Sequence, residues 1–139
     1  MIVKLIPIII VLFPADNITK NIKGGEIMGC VFCKIAKKEI PSKIIYEDEK
    51  IVVFKDLNPI APIHFLAVPK NHISSANEIT ADNSQIVAHI FEVIAKENNN
   101  WGLGGGYRII NNCGELGGQT VGHIHFHILG GKELAWQKL

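Results

Sequence analysis

The segment HIHFHI, residues 123–128, constrains the fold more than any other part of the chain, because histidines alternate there with large apolar residues. Strict alternation is typical of a β-strand, in which successive side chains point to opposite faces of the sheet. We therefore predict a strand over Val121 to Leu129 whose three histidines share one face, while the apolar residues between them pack on a hydrophobic core. Neighbouring imidazoles would stand about 6.7 Å apart, two strand rises, a spacing that suits an anion or a metal ion.

Hydrophobic periodicity elsewhere predicts two helices and four further strands. A short helix at 31–39 ends before Pro41, which cannot continue it. A long amphipathic helix starts from Thr80, a preferred N-cap residue, and ends before the glycine-rich segment 102–106. Strands are predicted at 44–47, 50–55, 64–68 and 107–111. Without regular βαβ alternation, this order predicts an α+β domain on a five-stranded, mainly antiparallel sheet, with one long helix and a short N-terminal helix.

Length and charge limit the classes of function. The 139 residues are expected to form one domain with enough bulk for a core. The 14 basic and 13 acidic residues leave a net charge of +1, which provides no electrostatic stripe for nucleic acid or an anionic membrane. Three cysteines without disulfide-framework spacing are typical of a reducing compartment, so we expect a cytoplasmic protein that recognises its ligand locally.

The first 27 residues are interpreted separately from the domain. Residues 1–13 are apolar, but they contain Lys4 and Pro7 and are too short to span about 30 Å of hydrocarbon, and the residues after them form a poor signal-peptide cleavage site. Purine-rich codons for Lys-Gly-Gly-Glu at 23–26 would spell a bacterial ribosome-binding sequence just upstream of Met28. We therefore expect Met28 to be the initiator, residues 1–27 to be a non-native or disordered extension, and residues 28–139 to be the domain.

Two glycine-rich segments have different interpretations. Residues 102–106 do not match a dinucleotide fingerprint, because Tyr107 occupies the position of the third glycine and the segment follows a helix instead of a strand. Residues 112–120, NCGELGGQT, lie directly before the histidine strand, where the backbone N–H groups of a glycine-rich turn can bind an anion. The second segment is therefore a candidate anion-binding loop.

The three histidines favour chemistry at phosphorus. Two imidazolium ions at this spacing would repel each other by about 1–2 kcal/mol, so at least one ring should be neutral near pH 7. A neutral ring beside partly protonated rings combines a nucleophile with electrostatic stabilisers. Attack by nitrogen on phosphorus gives a phosphoramidate that water then cleaves, which divides one difficult displacement into two easier steps.

Metal binding is the competing interpretation. Two histidines at i and i+2 on a strand can bind zinc or iron, but the glutamate that a cupin-like site requires four or five residues later is absent, and Glu133 lies too far along the chain. Cys30 and Cys33 form a separate CxxC half-site that needs two more ligands. Thioredoxin-like redox chemistry is disfavoured, because the surrounding elements do not form a βαβ pattern.

The histidine segment and its surroundings resemble the histidine triad (HIT) family, whose motif is His-φ-His-φ-His-φ-φ with φ hydrophobic, here residues 123–129. The resemblance covers nearly all of residues 30–139. The triad is fairly specific by itself and highly specific together with further matching segments. These segments are FCKI at 32–35, EIP at 39–41, FKDLNP at 54–59, APIH at 61–64, PKNHI at 69–73, YRI at 107–109 and GGQT at 117–120.

The resemblance implies a purine-nucleotide hydrolase that cleaves the bond to the α-phosphate of a nucleoside monophosphate and requires no cofactor for catalysis. It implies that His125 is the nucleophile, that His127 binds phosphate and assists the leaving group, and that His64 supports the triad. Thr120 would lie near the leaving atom. The remaining implied contacts are Gly118, Gln119 and Thr120 to the phosphate, Asn112 on the phosphate side, Asp56 to the ribose hydroxyls, and Phe32, Ile35, Phe54 and Leu57 around the base.

Within the family, the intact His127 differs from the transferase branch, which has glutamine at that position. Gly-Gly-Lys at 130–132 and the late Trp136 are similar to the Hint branch of phosphoramidases, and Fhit-like dinucleoside polyphosphate hydrolases are the neighbouring option. Hint-like proteins are homodimers that join their sheets. The resemblance therefore implies a homodimer in which Trp136 reaches the substrate site of the partner.

Some family members that have the leading CxxC bind zinc. The resemblance implies that Cys30, Cys33, His72 and His123 would form a closed tetrahedral zinc site, which leaves His125 and His127 for the chemistry. Cys113 is interpreted as incidental, and His89 as a surface or hydrogen-bonded histidine. Two alternatives remain open, namely a purine-nucleotide-binding regulatory protein with little catalysis and a His-ligated metalloprotein.

Overall fold

The computed structural model describes residues 29–136, so the predicted extension at 1–27 and the predicted initiator Met28 lie outside the described residues. Eight elements follow one another along this range. They are helix α1 (Val31–Ala36), strands β1 (Ile44–Glu47), β2 (Ile51–Lys55) and β3 (Ile63–Pro69), a 3₁₀ turn (Ala76–Glu78), helix α2 (Gln85–Glu97), and strands β4 (Tyr107–Ile110) and β5 (Phe126–Gly130).

The five strands form one sheet in the order β1-β2-β3-β5-β4, and every neighbouring pair is antiparallel. The predicted α+β fold with one long and one short helix is therefore confirmed. In the pairing of β3 with β5, His64 lies opposite Leu129 and Leu66 lies opposite His127. This register places a histidine from the central strand near the histidine of β5.

The sheet is buried on both faces, which explains why β2 is a continuous apolar run. Ile51 and Val53 join the core that packs against α2, whereas Val52 and Phe54 join a second core that packs against α1. The residues between the histidines, Ile124, Phe126 and Ile128, all belong to the α2 core. The prediction that the apolar residues of this segment pack on a core is confirmed, and the histidines point to the opposite face.

Strand β5 is shorter than the predicted 121–129. Sheet pairing begins at Phe126, opposite Ala67, and ends at Gly130. The preceding histidine segment instead bonds to the chain just after β3, where the N–H of Ile124 donates to the carbonyl of Ile73. Pro69 ends β3 and has no N–H, so the ladder cannot continue toward His123.

Both helices differ from prediction at one end. Helix α2 begins at Gln85 and not after Thr80, because the Thr80 carbonyl accepts hydrogen bonds from Asn83 and Ser84 in a separate turn. Helix α1 ends at Ala36, before the predicted stop at Pro41. Lys38 adopts a left-handed conformation there with φ of 62°, a common way to end a helix.

Candidate active site and cysteine–histidine cluster

The three histidines of the 123–127 segment have different neighbours. His123 contacts two cysteines, His125 lines a groove on the α1 face of the sheet, and His127 bonds to His64. All three rings are at least 98% buried. The rings of His125 and His127 meet edge to face with centroids 5.0 Å apart, closer than the spacing of about 6.7 Å that an untilted strand predicts.

Hydrogen bonding leaves one nitrogen of His125 free. Its Nδ1–H donates to the backbone carbonyl of His123 at 2.7 Å, so the lone pair of the neutral ring resides on Nε2. Within residues 29–136, Nε2 has no hydrogen-bond partner. The ring stacks edge-on against Phe32 at 5.1 Å and still forms part of the groove wall. A buried, unprotonated imidazole nitrogen of this kind is suited to nucleophilic attack.

A chain of hydrogen bonds makes Nε2 of His127 a hydrogen-bond donor, whereas Nε2 of His125 is an acceptor. The N–H of Ile60 donates to Nδ1 of His64 at 3.2 Å, so the proton of a neutral His64 lies on Nε2. That proton is donated to Nδ1 of His127 at 2.9 Å, which places the proton of His127 on Nε2. The Nε2 atom of His127 is buried without a hydrogen-bond partner among the described residues. His127 therefore supplies a donor beside the acceptor nitrogen of His125.

Burial keeps these rings neutral at pH 7. It lowers the pKa of His64 to about 4, and burial together with the nearby charges of His125 and His64 lowers the pKa of His127 to about 3. Burial also lowers the pKa of His125. The expectation of partly protonated rings beside a neutral one is therefore wrong for His127, because its ring has lost its contact with water.

Asp56 lies against this chain of histidines. Its carboxylate is buried, and Oδ1 accepts the N–H of Asn58 at 2.8 Å. Oδ2 lies 3.2 Å from Nε2 of His64 without forming a hydrogen bond, since that N–H is directed at His127. Burial raises the pKa of Asp56, and the Asn58 N–H and the charge of His125 oppose this effect.

Asp56, His64 and His127 also have the chemistry of metal ligands and lie within metal-binding distance of one another. A metal at Nε2 of His64 would need a lone pair on that atom and a proton on Nδ1. Nδ1 already accepts the N–H of Ile60, so this tautomer would oppose two N–H groups. The group is better described as a hydrogen-bonded relay than as a metal centre.

The groove that contains His125 and His127 has a volume of about 590 Å³, including the solvent at its mouth, within the usual range for small-ligand sites. Its wall is mainly apolar. The groove is lined by all four residues that were predicted to surround a base, namely Phe32, Ile35, Phe54 and Leu57. Asp56 lines it as well. Leu57 lies at the rim with 72% of its surface exposed.

Several groove residues were not predicted from the sequence. Leu66 is one of them, although it lies opposite His127 in the sheet register and shares the alternation of the predicted β3 strand. Pairing β3 with the histidine strand would have identified it. The other unpredicted lining residues are Val31, Ile40, Pro41, Ser42, Lys55 and Val121.

The candidate anion-binding loop is held in place by Gln119. Its Oε1 accepts the N–H of Gly114 at 2.9 Å, and its Nε2 donates to the carbonyls of Ser74 at 2.7 Å and Val121 at 3.0 Å. The side chain is thus used within the protein, and so is the backbone N–H of Gln119, which donates to the carbonyl of Gly114 at 3.0 Å. Thr120 Oγ1 is buried without a partner in the described part of the chain.

Other residues near the loop have structural contacts. Asn111 was not singled out from the sequence, yet its side-chain N–H donates to the carbonyl of His125 at 2.9 Å and holds the histidine segment beside β4. Asn112 is half-buried, and Gly118 adopts a φ of 81°. Trp136 is 87% exposed and does not line the groove of its own chain.

Cys30, Cys33, His72 and His123 come together at the N-terminal end of α1. Sγ of Cys33 lies 3.3 Å from Nδ1 of His72 and 3.5 Å from Nδ1 of His123, and Sγ of Cys30 lies 3.4 Å from the same His123 atom. A tetrahedral zinc ion with ordinary bond lengths would separate its sulfur and nitrogen ligands by about 3.5 Å. The donor set and its spacing therefore fit a metal ion.

The protonation of the cluster also suits a metal. A hydrogen bond from Cys33, helped by a hydrogen bond and charge from His123, outweighs burial and lowers the pKa of the Cys30 thiol to about 3. Nε2–H of His123 donates to the carbonyl of Pro69 at 2.8 Å, which leaves Nδ1 as the lone-pair atom that faces the thiols. These groups form a site that is able to bind a metal ion.

His89 and Cys113 lie outside both sites. His89 bonds to Asp48 through Nε2 at 2.6 Å, in agreement with its interpretation as a hydrogen-bonded histidine. Burial would raise the pKa of Asp48, but hydrogen bonds from His89 and from the N–H groups of Lys50 and Ile51 lower it overall. Cys113 is a free, half-buried cysteine in the candidate anion-binding loop.

Comparisons with known proteins find a matching family profile and similar sequences. The profile of the family described as "Scavenger mRNA decapping enzyme C-term binding" matches residues 29–138. An uncharacterized HIT-like protein of Rickettsia prowazekii is 48% identical over 106 residues, which cover 75% of this chain and 88% of that protein. No helix in residues 29–136 is long and apolar enough to cross a membrane.

Solved structures are similar as well. A histidine triad protein from Clostridium difficile is 50% identical and has a TM-score of 0.78, over 81% of this chain and 99% of that one. A HIT family hydrolase from Clostridium thermocellum is 46% identical with a TM-score of 0.78, over 82% of this chain and 100% of that one.

Proposed function

Because this chain belongs to the histidine triad family, we propose that it is a nucleotide-binding hydrolase that cleaves the bond to the α-phosphate of a purine nucleoside monophosphate, such as a phosphoramidate. The reaction passes through a nucleotidyl group on His125. One observation carries the proposal, namely the free Nε2 lone pair of His125 beside the unpartnered Nε2–H of His127 in one groove.

The apolar part of the groove would bind the base of the substrate, and the polar part would bind the ribose and the phosphate. The base packs between apolar side chains around Phe32 and Phe54, while the ribose hydroxyls donate to Asp56. The phosphate lies near the histidines, where the buried hydroxyl of Thr120 is available as a donor. The N–H groups of Gly118 and Gln119 donate to the carbonyls of Glu115 and Gly114 in the free loop, so they would exchange these partners for the phosphate. Asn112 contacts the phosphate side. In this proposal, the α-phosphorus lies within reach of His125.

In the first chemical step, the lone pair of His125 Nε2 forms a bond to phosphorus while the bond from phosphorus to the leaving nitrogen breaks. The Nε2–H of His127 donates its proton to that nitrogen, so a neutral amine departs, the nucleotidylated His125 ring becomes cationic, and His127 is left as an imidazolate that still accepts the N–H of His64. In the second step, water gives a proton to His127 and attacks phosphorus, which breaks the bond to His125 and releases the nucleoside monophosphate. Both histidines return to their starting protonation states.

Rapid-quench mass spectrometry with adenosine 5′-phosphoramidate tests this proposal. Wild-type protein should carry one nucleotidyl group in a single turnover, and His125→Ala should carry none. A regulatory protein that only binds nucleotide would retain the ligand without an adduct in either protein. Absence of the adduct from wild type, with intact nucleotide binding, would therefore support that alternative.

Within the family, we assign the chain to the Hint-like branch of phosphoramidases, since His127 is a histidine and Gly-Gly-Lys follows the motif. A panel of adenosine and guanosine phosphoramidates together with dinucleoside polyphosphates tests this assignment. Faster cleavage of the polyphosphates would place the protein with the Fhit-like hydrolases instead.

The metal proposed for the cysteine–histidine cluster is zinc. Cys30, Cys33, His72 and His123 would hold it, and the ion would supply a structural cross-link between the start of α1 and the histidine segment. Catalysis requires no cofactor in this proposal. The His-ligated metalloprotein alternative is disfavoured at His64 and His127 by the Ile60 hydrogen bond described above.

We also propose a cytoplasmic homodimer whose sheets join. Strand β4 is an edge strand of the described sheet, and Tyr107 on it is partly exposed. Trp136, exposed in the single chain, would reach the partner's groove and contact substrate there. Light scattering combined with size-exclusion chromatography tests the dimer, and a monomeric mass at micromolar concentration would contradict it.

A further inference from the structure

The two oxygens of the Asp56 carboxylate have unequal partners. Oδ1 accepts a backbone N–H from Asn58 at 2.8 Å, whereas Oδ2 is buried and has no hydrogen bond within the described residues. The nearest polar atom that the structure gives to Oδ2 is Nε2 of His64, at 3.2 Å. Burying a carboxylate oxygen without a hydrogen-bond partner costs free energy, so a functional role for Oδ2 next to His64 would explain why it is kept there.

The position of one proton supplies that reason. Nε2 of His64 lies between Oδ2 of Asp56 and Nδ1 of His127, which is 2.9 Å away. If the ring carried its proton on Nδ1, the electron-rich Nε2 atom would lie 3.2 Å from the negatively charged Oδ2, and Nδ1–H would face the N–H of Ile60. Both contacts would be repulsive. The carboxylate therefore favours the Nε2–H form of His64.

The tautomer of His64 fixes the tautomer of His127. When His64 donates from Nε2, Nδ1 of His127 must accept, and the proton of the neutral His127 ring is found on Nε2. That atom is the donor that lacks a partner in the described structure. A change at Asp56 would thus alter, through His64, whether the Nε2 atom of His127 carries the proton or the lone pair.

We propose that Asp56 is a positioning residue that acts on catalysis through His64, keeping the proton of His127 on Nε2, in addition to binding ribose. The inference rests on the proposed function, because it concerns the proton that His127 donates to the leaving group. In this proposal, one carboxylate determines both the contact with ribose and the position of the proton on the general acid, His127. A substrate without ribose hydroxyls separates the two roles.

Kinetics with such a substrate form the first test. Wild type, Asp56→Ala and Asp56→Asn would be compared with adenosine 5′-phosphoramidate and with its 2′,3′-dideoxy analogue. If Asp56 acts only through ribose, both variants should match wild type on the dideoxy analogue. The proposal instead expects kcat on the analogue to fall roughly ten-fold or more in both variants, part of the 10²–10⁴ that general acid catalysis supplies.

The two variants differ in a useful way. In Asp56→Asn the side-chain carbonyl can still accept the N–H of Asn58, so this part of the fold is retained, but the amide group would then face the N–H of His64. Asp56→Ala removes the oxygens without adding a donor. The asparagine variant should therefore lose more kcat than the alanine variant. Asp48→Asn is the matched control, since Asp48 bonds to His89 outside the groove, and its kcat should remain unchanged.

Nitrogen-15 NMR of histidine-labelled, substrate-free protein provides the second test, which does not depend on activity. In wild type, His64 and His127 should both carry the proton on Nε2, and in Asp56→Asn the Nδ1–H form of His64 should appear. The proposal is overturned if the tautomers of Asp56→Asn match wild type, or if both variants retain wild-type kcat on the dideoxy analogue. A wild type that cleaves neither substrate would refute the proposed function, while the tautomer result would still decide this inference for the hydrogen-bond chain.

Discussion

The backbone carbonyl of His123 lies 2.7 Å from Nδ1 of His125, so the residue that contributes a ring to the cysteine cluster also selects the free nitrogen of its neighbour. The two functions use different atoms of His123, since Nδ1 faces the thiols and the carbonyl faces His125. A histidine segment that alternates along an extended chain can therefore serve a metal cluster and a reaction centre at the same time.

The donor role of His127 predicts a dependence on the leaving group. Replacing it in His127→Asn removes the proton source, so cleavage of an alkylamine phosphoramidate should slow by about 10²–10⁴-fold. A 4-nitrophenyl ester of the same nucleotide needs little protonation of its leaving group and should lose much less. Steady-state kinetics on both substrates measure the difference. His89→Asn is the control, because His89 bonds to Asp48 away from the groove, and an equal loss on both substrates in His127→Asn would contradict the assignment.

The three cysteines allow a matched test of the zinc site. Purified protein should contain about one zinc ion per chain, and Cys33→Ser should lose it because two histidines and one thiolate bind zinc less tightly. Cys113→Ser should keep the metal, since Cys113 lies in the loop outside the cluster. Metal analysis by mass spectrometry measures the content.

Chelation separates metal loss from packing damage at the buried Cys33. A strong chelator should lower the Tm of wild type and of Cys113→Ser by several degrees, at about 4 °C for each kcal/mol of stability lost. Cys33→Ser should show no further decrease. A chelator that leaves wild-type Tm unchanged would mean that the cluster does not hold a structural metal.

Much of the fold follows from local patterns in the sequence. The alternation around Phe126 reports which side chains join the core against α2 and which lie on the opposite face. This holds for the residues before β5 as well, although they do not pair in the sheet. The strand boundary is different, because it depends on where β3 ends at Pro69, a distant part of the chain. The end of α1 was misplaced for a related reason, since Lys38 adopts a conformation that its residue type does not favour.

The candidate site was predictable as a set of residues and less predictable as a set of contacts. The resemblance to a family supplied Asp56, His64 and the triad, but it did not give the direction of each N–H. The loop role of Gln119 depends on a carbonyl of Ser74, 45 positions away, which no local pattern reveals. Tautomers and loop anchors of this kind emerge only from the folded arrangement.

Two glycines should respond differently to alanine, namely Gly117 in the candidate anion-binding loop and Gly122, two residues after the loop. A Cβ on Gly117 would lie within 2.3 Å of the carbonyl oxygen of Cys113, a backbone atom that cannot move without the loop. Gly117→Ala should therefore destabilise the protein by about 1–3 kcal/mol and reduce kcat/KM. Gly122→Ala is the control, because its Cβ would meet no atom within 4 Å. Urea unfolding and kinetics measure both, and equal behaviour of the two variants would contradict the role of the close contact.

The buried histidines predict a loss of stability in mild acid. The unfolded chain takes up protons on histidine as the pH falls below about 6.5, whereas folded His64 and His127 remain neutral down to about pH 4 and 3. The unfolded state therefore binds more protons in this window, and the free energy of unfolding should fall by up to about 1.4 kcal/mol per pH unit for each histidine. Above pH 6.5 these two residues should contribute no pH dependence.

Urea unfolding at pH 7.5, 6 and 5 tests this pH dependence by comparing wild type with His127→Asn. The variant lacks one of the two buried rings and retains the cysteine cluster. Since both proteins keep the same metal ligands, subtracting one curve from the other cancels any effect of acid on the cluster. The variant should lose less stability between pH 6 and 5, by about the contribution of one proton. Parallel curves for the two proteins would mean that His127 is protonated in the folded state, and a protonated ring could not accept the hydrogen bond from His64 on which its place in the site depends.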